Sequence, residues 1–307
     1  MNYRRRATLE SMCLFTMFMD AVRDAVLVAA GLGTRMFPTS AFLPKESLPL
    51  VDVPLLTHLL LEAKVAGIER VHIVTSKQKS FDGLLTSNPD RHRLRPDLDP
   101  TLFSATEGME VLVHHQHEPK GVANAIEAAL HAVEGPFLVM LGDNVLMDVH
   151  ASTQSVKPST TSKRLLEMFA QCGEATVALM EVEADEVQHY GVVAMNGSKI
   201  TAMVEKPQPH QAPSRLAMCG RYVFPATTKA LLETYTFEAH GDLQSIALQQ
   251  HWIDAGALHG LVLEDTQWYD SGAPLMWLQA QVDHALRRPD LQTEFAGWLR
   301  QRLEDHR

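Results

Sequence analysis

Long apolar runs are missing from this chain. Nothing in its 307 residues approaches the about 20 consecutive apolar side chains that a helix needs to cross a bilayer. No membrane partner is therefore expected. The short apolar stretch at residues 12–19 follows Arg4, Arg5 and Arg6 and resembles the charged and apolar parts of a secretory signal. No small-residue cleavage site follows it, and export is not expected. Cysteine is scarce: Cys13, Cys172 and Cys219 show neither the pairing of a disulfide framework nor the spacing of a metal site. That economy suits a reducing compartment, and we expect a cytoplasmic protein. Basic charge is also in deficit, with 27 Lys and Arg against 37 Asp and Glu, a net charge of −10. A nucleic-acid backbone needs a basic face, so nucleic acid is excluded as the main partner. A small phosphorylated ligand needs only a few well-placed cations and stays open.

Two familiar phosphate motifs are absent as well. A dinucleotide fingerprint would need a third glycine where Met36 stands, and no Gly-Lys-Ser/Thr sequence marks a P-loop. No internal repeat and no linker is visible.

What is present is the mix of a soluble globular protein, 46% hydrophobic and 21% charged. The length allows one large domain or two of about 150 residues. Residues 25–30 are almost wholly apolar and end at Gly31, the pattern of a strand buried on both faces of a parallel sheet. Helical spacing over residues 55–67 stops at Gly67, and a strand follows at 71–75. A helix is expected over 120–132 and a buried strand at 137–141, ending in Gly142 and Asp143. This strand–helix alternation is the rhythm of a parallel α/β sheet. The second half is richer in strands, at 176–182, 191–195, 199–204, 217–224 and 258–264. Helices fit at 227–234, 243–252 and 273–287, and residues 86–100 and 150–163 read as surface loops.

The most informative stretch is GLGTRMFP at residues 31–38, followed by Pro44, Lys45, Glu46, Leu48 and Pro49. It leaves a buried strand directly, where α/β proteins hold ligands. Gly31 and Gly33 let backbone N–H groups approach an anion closely. Arg35 adds a forked donor suited to phosphate oxygens, and Lys45 a second cation.

Residues 31–49 resemble the signature of the sugar-phosphate nucleotidylyltransferases, and within them the bacterial UTP–glucose-1-phosphate uridylyltransferases. Later segments agree in order: PFLVMLGD at 136–143, YGVV at 190–193, VEKP at 204–207, APSRLA at 212–217, GRYV at 220–223, YDSG at 269–272 and TEFAGWL at 293–299. The resemblance implies an α/β, Rossmann-like nucleotidyltransferase fold with a mixed, mainly parallel central sheet flanked by helices. It implies one domain over residues 24–300. Residues 1–23 then form a leader outside it, either disordered or a start-site artefact ahead of Met17 or Met19.

The resemblance also implies chemistry. UTP and a sugar 1-phosphate would give a UDP-sugar and pyrophosphate by in-line attack, a reaction of positioning and charge neutralisation that needs no protein nucleophile. Ala29, Ala30 and Gly31 would hold the base, completed by Gln116 and Gly121. Gly33, Thr34 and Arg35 would hold the triphosphate, and Lys45 would neutralise the reacting phosphate. Lys206 would grip the sugar phosphate, while Gly191, Glu205 and Asp242 would meet sugar hydroxyls. Asp143 and Asp270 match the two aspartates that hold Mg²⁺, whose preference for hard oxygen ligands beside phosphates agrees. A homo-oligomer is expected by the same analogy.

Some positions depart from the family pattern. Ala41 and Val53 stand where lysines are usual, and Asp242 is one methylene shorter than the usual glutamate. These departures leave room for dTTP or another sugar 1-phosphate, or for a catalytically weak regulatory relative. His114, His115 and His117 are not read as a metal site, since His114 and His115 would point to opposite faces of a strand.

Overall fold

The computed structural model describes residues 21–235 and 245–305. Its first strand, β1 (Asp24–Val28), is the buried apolar run that precedes the glycine-rich loop. Two short strands, β2 (Pro49–Leu50) and β3 (Val53–Pro54), lead into helix α1 (Leu55–Val65). Gly67, at φ +85°, follows α1 and turns the chain back by letting Ile68 N donate to Ala63 O. Next come β4 (Arg70–Thr75), β5 (Glu110–His115), α2 (Val122–Ala129), β6 (Phe137–Leu141) and β7 (Asn144–Met147). The second half holds α3 (Thr161–Cys172), β8 (Ala175–Glu181), β9 (Gly191–Asn196), β10 (Lys199–Glu205) and β11 (Leu216–Phe224). It continues with α4 (Thr228–Glu233), α5 (Ser245–Asp254), β12 (Leu258–Val262), β13 (Gln267–Asp270), α6 (Pro274–Arg287) and α7 (Gln292–Asp305).

Nine strands form one sheet in the order β5-β4-β1-β6-β11-β8-β12-β10-β9. β4, β1, β6 and β5 run parallel, as do β8 and β12, while β11 and β10 run against their neighbours. The sheet is mixed with most strands pointing one way, as the resemblance implied. Alternation along the strands splits the core into two layers. Val26, Val139 and Val177 face Ile126 of α2 and Leu248 of α5. Leu27, Leu138 and Met140 face Leu56, Leu59 and Leu60 of α1 and Leu165 and Phe169 of α3. Each fully buried leucine contributes roughly 2 kcal/mol of hydrophobic free energy.

Several elements lay outside the strands and helices expected from the sequence, among them the short strands β2, β3, β7 and β13. α3 begins inside the stretch expected to be loop, β5 was expected only at His114 and His115, and α7 had no signal strong enough to name it. Among the described residues, no helix is long and apolar enough to cross a membrane.

The register places function. Val28 lies beside Val74 of β4 and Leu141 of β6, and Thr75 lies beside His115 of β5. The loops after β1, β4, β5 and β6 therefore leave the same edge of the sheet, the edge where open α/β sheets bind ligands. Separately, β7 pairs with β13 and sets Asn144 opposite Asp270.

Candidate active site

The glycine-rich loop is shaped by contacts that only glycine permits. Gly33 has φ +65°, and a Cβ there would meet Ser40 Cβ at 3.2 Å and Lys45 Cδ at 3.5 Å. Ser40 Oγ donates to the Gly33 carbonyl at 2.6 Å and pins the loop over Lys45. Gly33 caps a single 3₁₀ turn, Thr34–Met36, which leaves Arg35 exposed on its outer face. The Arg35 guanidinium lies against Gly272, where an added Cβ would sit 2.9 Å from Nη2 and 3.0 Å from Asp270 Oδ1. Arg35 and Asp270, far apart in the chain, thus share one small space.

Gly142 ends β6 under similar constraint. Its N–H donates to Val28 O at 2.9 Å, and a Cβ would approach Val28 O to 2.8 Å and Glu46 Cγ to 2.9 Å. The next residue is Asp143. Its Oδ2 is ion-paired with Lys45 Nζ, and its Oδ1 accepts from Asn144 Nδ2 at 2.7 Å. Its carbonyl accepts from the backbone N–H and the hydroxyl of Ser271, both at 3.0 Å. Asp143 and Asp270 are therefore locked side by side through the β7–β13 ladder.

Their titrations diverge. Burial alone would raise the Asp143 pKa, but the Lys45 charge and hydrogen bond hold it below the usual carboxylate value. Asp270 is pushed up, first by burial and then by the charge of Asp143, with Lys45 and Arg35 opposing. Lys45 is pushed up because the charges of Asp143 and Glu46 outweigh its desolvation. Two neighbouring carboxylates, one of them short of positive charge, fit a hard divalent cation. Among the described residues no group of three or more His, Cys, Asp or Glu could hold a metal by itself. A pair suits Mg²⁺, which keeps waters and substrate phosphates among its ligands.

The expected base-side residues also gather. Gln116 N donates to Thr75 O, and Gln116 Nε2 donates to Gly121 O at 3.0 Å and Asn124 Oδ1 at 2.9 Å. Gly121 has φ +94° at the start of α2. A cavity of about 420 Å³ opens beside them, lined by Gln116, Lys120 and Asn124. Ala29 is already engaged within the protein. Its N–H donates to Val74 O and its carbonyl accepts from Lys79 Nζ, both at 2.8 Å. One lone pair of the Ala29 carbonyl is left free of these bonds.

The expected sugar-side residues lie on the β9–β10 hairpin. Gly191 pairs with Glu205, and a Cβ on Gly191 would meet Met218 Cε at 2.5 Å and Glu205 Oε2 at 3.0 Å. Lys206 follows with φ +47°, an unusual conformation for lysine, fixed by its N–H donating to Tyr190 O at 2.9 Å. Its Nζ is exposed, 3.6 Å from Glu205 Oε1. Tyr190 packs on Trp268 with ring centroids 4.4 Å apart, and Trp268 Nε1 donates to Asn144 Oδ1 at 2.5 Å. The hairpin is thereby tied to the carboxylate pair. Asp242 lies outside the described residues. Of the histidines, His114 is buried and His115 exposed, as opposite faces of β5 require.

Several residues of the site were missed. Lys79 carries no motif of its own, and Glu46 was quoted beside Lys45 without a role. Asn144 and Trp268 orient the carboxylates. Arg221, wholly buried, donates to both oxygens of Glu62 on α1 at 3.0 and 2.9 Å and to Asn144 O at 2.8 Å. Glu46 and Arg221 lie inside quoted motifs and Asn144 and Trp268 beside them, whereas Lys79 had no such signal.

The model of the nucleotidyl transferase family matches residues 24–285. A UTP–glucose-1-phosphate uridylyltransferase of Streptococcus pyogenes serotype M1 is 32% identical over 293 residues, covering 92% of this chain and 94% of that protein. A Bacillus subtilis protein of the same name is 30% identical, covering 91% and 94%. Among solved structures, a UTP-bound UDP-glucose pyrophosphorylase from Acinetobacter baumannii is 28% identical. It superposes with a TM-score of 0.74, covering 91% of this chain and 98% of that one. A UDP-glucose pyrophosphorylase in complex with UDP-glucose gives 26% identity and a TM-score of 0.73, with coverage of 86% and 98%. The chain belongs to the nucleotidyl transferase family and groups within it with the UTP–glucose-1-phosphate uridylyltransferases.

Proposed function

We propose that this protein transfers the uridylyl group of UTP to glucose 1-phosphate, releasing pyrophosphate and forming UDP-glucose. The observation that carries this reading is the convergence of Arg35, Lys45, Asp143 and Asp270 where the loops after β1 and β6 meet β13. An oxygen of the sugar phosphate attacks the α-phosphorus, and the bond to the pyrophosphate oxygen breaks opposite it. Backbone N–H groups from Gly31 to Thr34 cradle the triphosphate. Arg35 neutralises charge that grows on the departing pyrophosphate. Lys45 leaves Asp143 for the reacting phosphate, exchanging one anion for another. Lys206 holds the sugar phosphate, with Gly191, Glu205 and Asp242 meeting the sugar. The base stacks at the loop after β1, with Gln116 and Gly121 at its edge.

Asp143 and Asp270 would hold Mg²⁺, which supplies charge neutralisation at the phosphates. No side chain is required as a nucleophile. Cys219 could not serve as one, since burial pushes its thiol up to about 12. We place the reaction in the cytoplasm, in a homo-oligomer of this chain.

The test is pyrophosphate release measured across a panel of nucleoside triphosphates and sugar 1-phosphates. UTP with glucose 1-phosphate should give the highest kcat/KM. A clear preference for dTTP or for another sugar would move the assignment within the family. Tight UTP binding without pyrophosphate release from any pair would replace it with a regulatory role.

A further inference from the structure

Glu46 is 1% exposed, and the Lys79 side chain that meets it is 7% exposed. Lys79 Nζ has three hydrogens, and all are used. It donates to Ala29 O at 2.8 Å, to Glu46 Oε2 at 2.9 Å and to Glu46 Oε1 at 3.1 Å. Lys79 is therefore spent inside the protein and is not an additional phosphate cation. Its partner is equally committed. Glu46 follows Lys45 in the same 3₁₀ turn, Lys45–Ser47, and its Cγ lies where a Cβ on Gly142 would come within 2.9 Å.

Three loops thus meet on one buried pair: the turn after β1 at Ala29, the segment after β4 at Lys79, and the end of β6 at Gly142. The charges alternate in space as Lys79, Glu46, Lys45 and Asp143. Burial raises Glu46, opposed by Lys79 and Lys45, and lowers Lys79, opposed by Glu46. A buried ion pair of this kind adds little net stability compared with an apolar pair of the same shape, whereas removing one partner is costly. Its presence here calls for another reason than stability.

We infer that Lys79 and Glu46 are positioning residues for nucleotide transfer: the pair fixes the Ala29 backbone on the base side and aims Lys45 and Asp143 on the phosphate side, without touching substrate. The inference rests on the proposed uridylyl transfer. It goes further by assigning a role to Lys79, which no motif marked, and to Glu46, which the reaction itself does not use.

The experiment compares wild type, Glu46→Gln, Lys79→Met and the double variant Glu46→Gln/Lys79→Met, all full length. Each is read by thermal melting, by UTP affinity from titration calorimetry, and by kcat and KM for both substrates. Lys79→Met leaves a buried carboxylate unpaired and should melt well below wild type. The double variant buries no charge at the pair and should recover most of that loss. A merely structural pair would recover activity along with stability. A positioning pair would not: the double variant should keep a kcat lowered at least tenfold and a UTP Kd raised at least fivefold. Its KM for glucose 1-phosphate should stay within twofold of wild type. A double variant with wild-type kcat and UTP affinity overturns the inference, as does a loss confined to the KM for glucose 1-phosphate. If Lys79→Met does not fold, Glu46→Gln and the double variant still decide. If wild type itself gives no pyrophosphate, the functional reading fails separately. The pair is then judged on UTP affinity, and an unchanged Kd in the double variant overturns it.

Discussion

His58 on α1 and His284 on α6 meet edge to face, with ring centroids 6.3 Å apart, beside the buried Arg288. His58 Nε2 and His284 Nδ1 are sealed from solvent with no partner among the described residues. Burial, and then the Arg288 charge, push His58 down to about 4, and burial followed by His58, His150 and Arg288 pushes His284 down to about 3. In the unfolded chain both return to about 6.5. The unfolded state therefore binds more protons than the folded state whenever the pH falls below that value. Stability from these two residues is complete above pH ~6.5 and is lost as the pH falls toward 4 and then 3. At pH ~5 the linkage integral gives about 2 kcal/mol for each histidine, so about 4 kcal/mol for the two. For a domain of this size that corresponds to a fall in Tm of roughly 8 °C. The assay is scanning calorimetry from pH ~7.5 to ~5 on wild type and on a His58→Leu/His284→Leu variant. The variant should lose about 4 kcal/mol less over that range, whatever its stability at neutral pH. An identical acid-induced loss in both proteins would refute the reasoning, because it would mean the two imidazoles do not stay neutral in the fold.

Other outcomes follow from the site. Asp143→Asn and Asp270→Asn should each lower kcat by about a hundredfold or more, and together by much less than the product, because both act at one cation; additive losses in steady-state rates would separate their roles. Arg35→Ala should lower kcat at saturating substrates by about a hundredfold, roughly 3 kcal/mol, as the loss of a preorganised cation at developing charge. Lys206→Ala should instead mainly raise the KM for the sugar phosphate, and an effect confined to UTP would reassign it. Arg221→Met strands the buried Glu62 carboxylate and should cost about 3–5 kcal/mol in urea unfolding; a loss below about 1 kcal/mol would mean that the Arg221–Glu62 pair does not help hold α1 to β11.

The parts of the fold that were legible in the sequence share a physical reason. β1 and β6 carry short apolar runs, residues 25–30 and 137–141, that stop at glycine, and that pattern admits few readings. Gly67 ends α1 as expected because a left-handed turn there favours a residue without Cβ. α3 was hidden because its opening Thr161, Ser162 and Lys163 continue a polar stretch, while its buried face rests on Leu165 and Phe169. β5 was legible only at its two histidines, since its Val113 is half exposed and breaks the buried apolar pattern ahead of them. In the site, the glycine loop with Arg35 and Lys45 was visible as a local motif. The meeting of Asp143 with Asp270 was not, since it depends on Asn144 pairing with Asp270 across β7 and β13, and only family resemblance linked them. Lys79, Trp268 and Arg221 act through contacts with distant backbone or side chains, which no local spacing encodes.

Direct transfer between two bound substrates by positioned charges makes each substrate necessary for the other's conversion. It is tested most directly by mass-spectrometric product analysis of wild-type protein with Mg²⁺, UTP and glucose 1-phosphate, and with each substrate left out in turn. UDP-glucose and pyrophosphate should form in equal amounts when both substrates are present, and neither when one is absent. Pyrophosphate formed from UTP alone, or UTP bound but unchanged in the presence of glucose 1-phosphate, would contradict it.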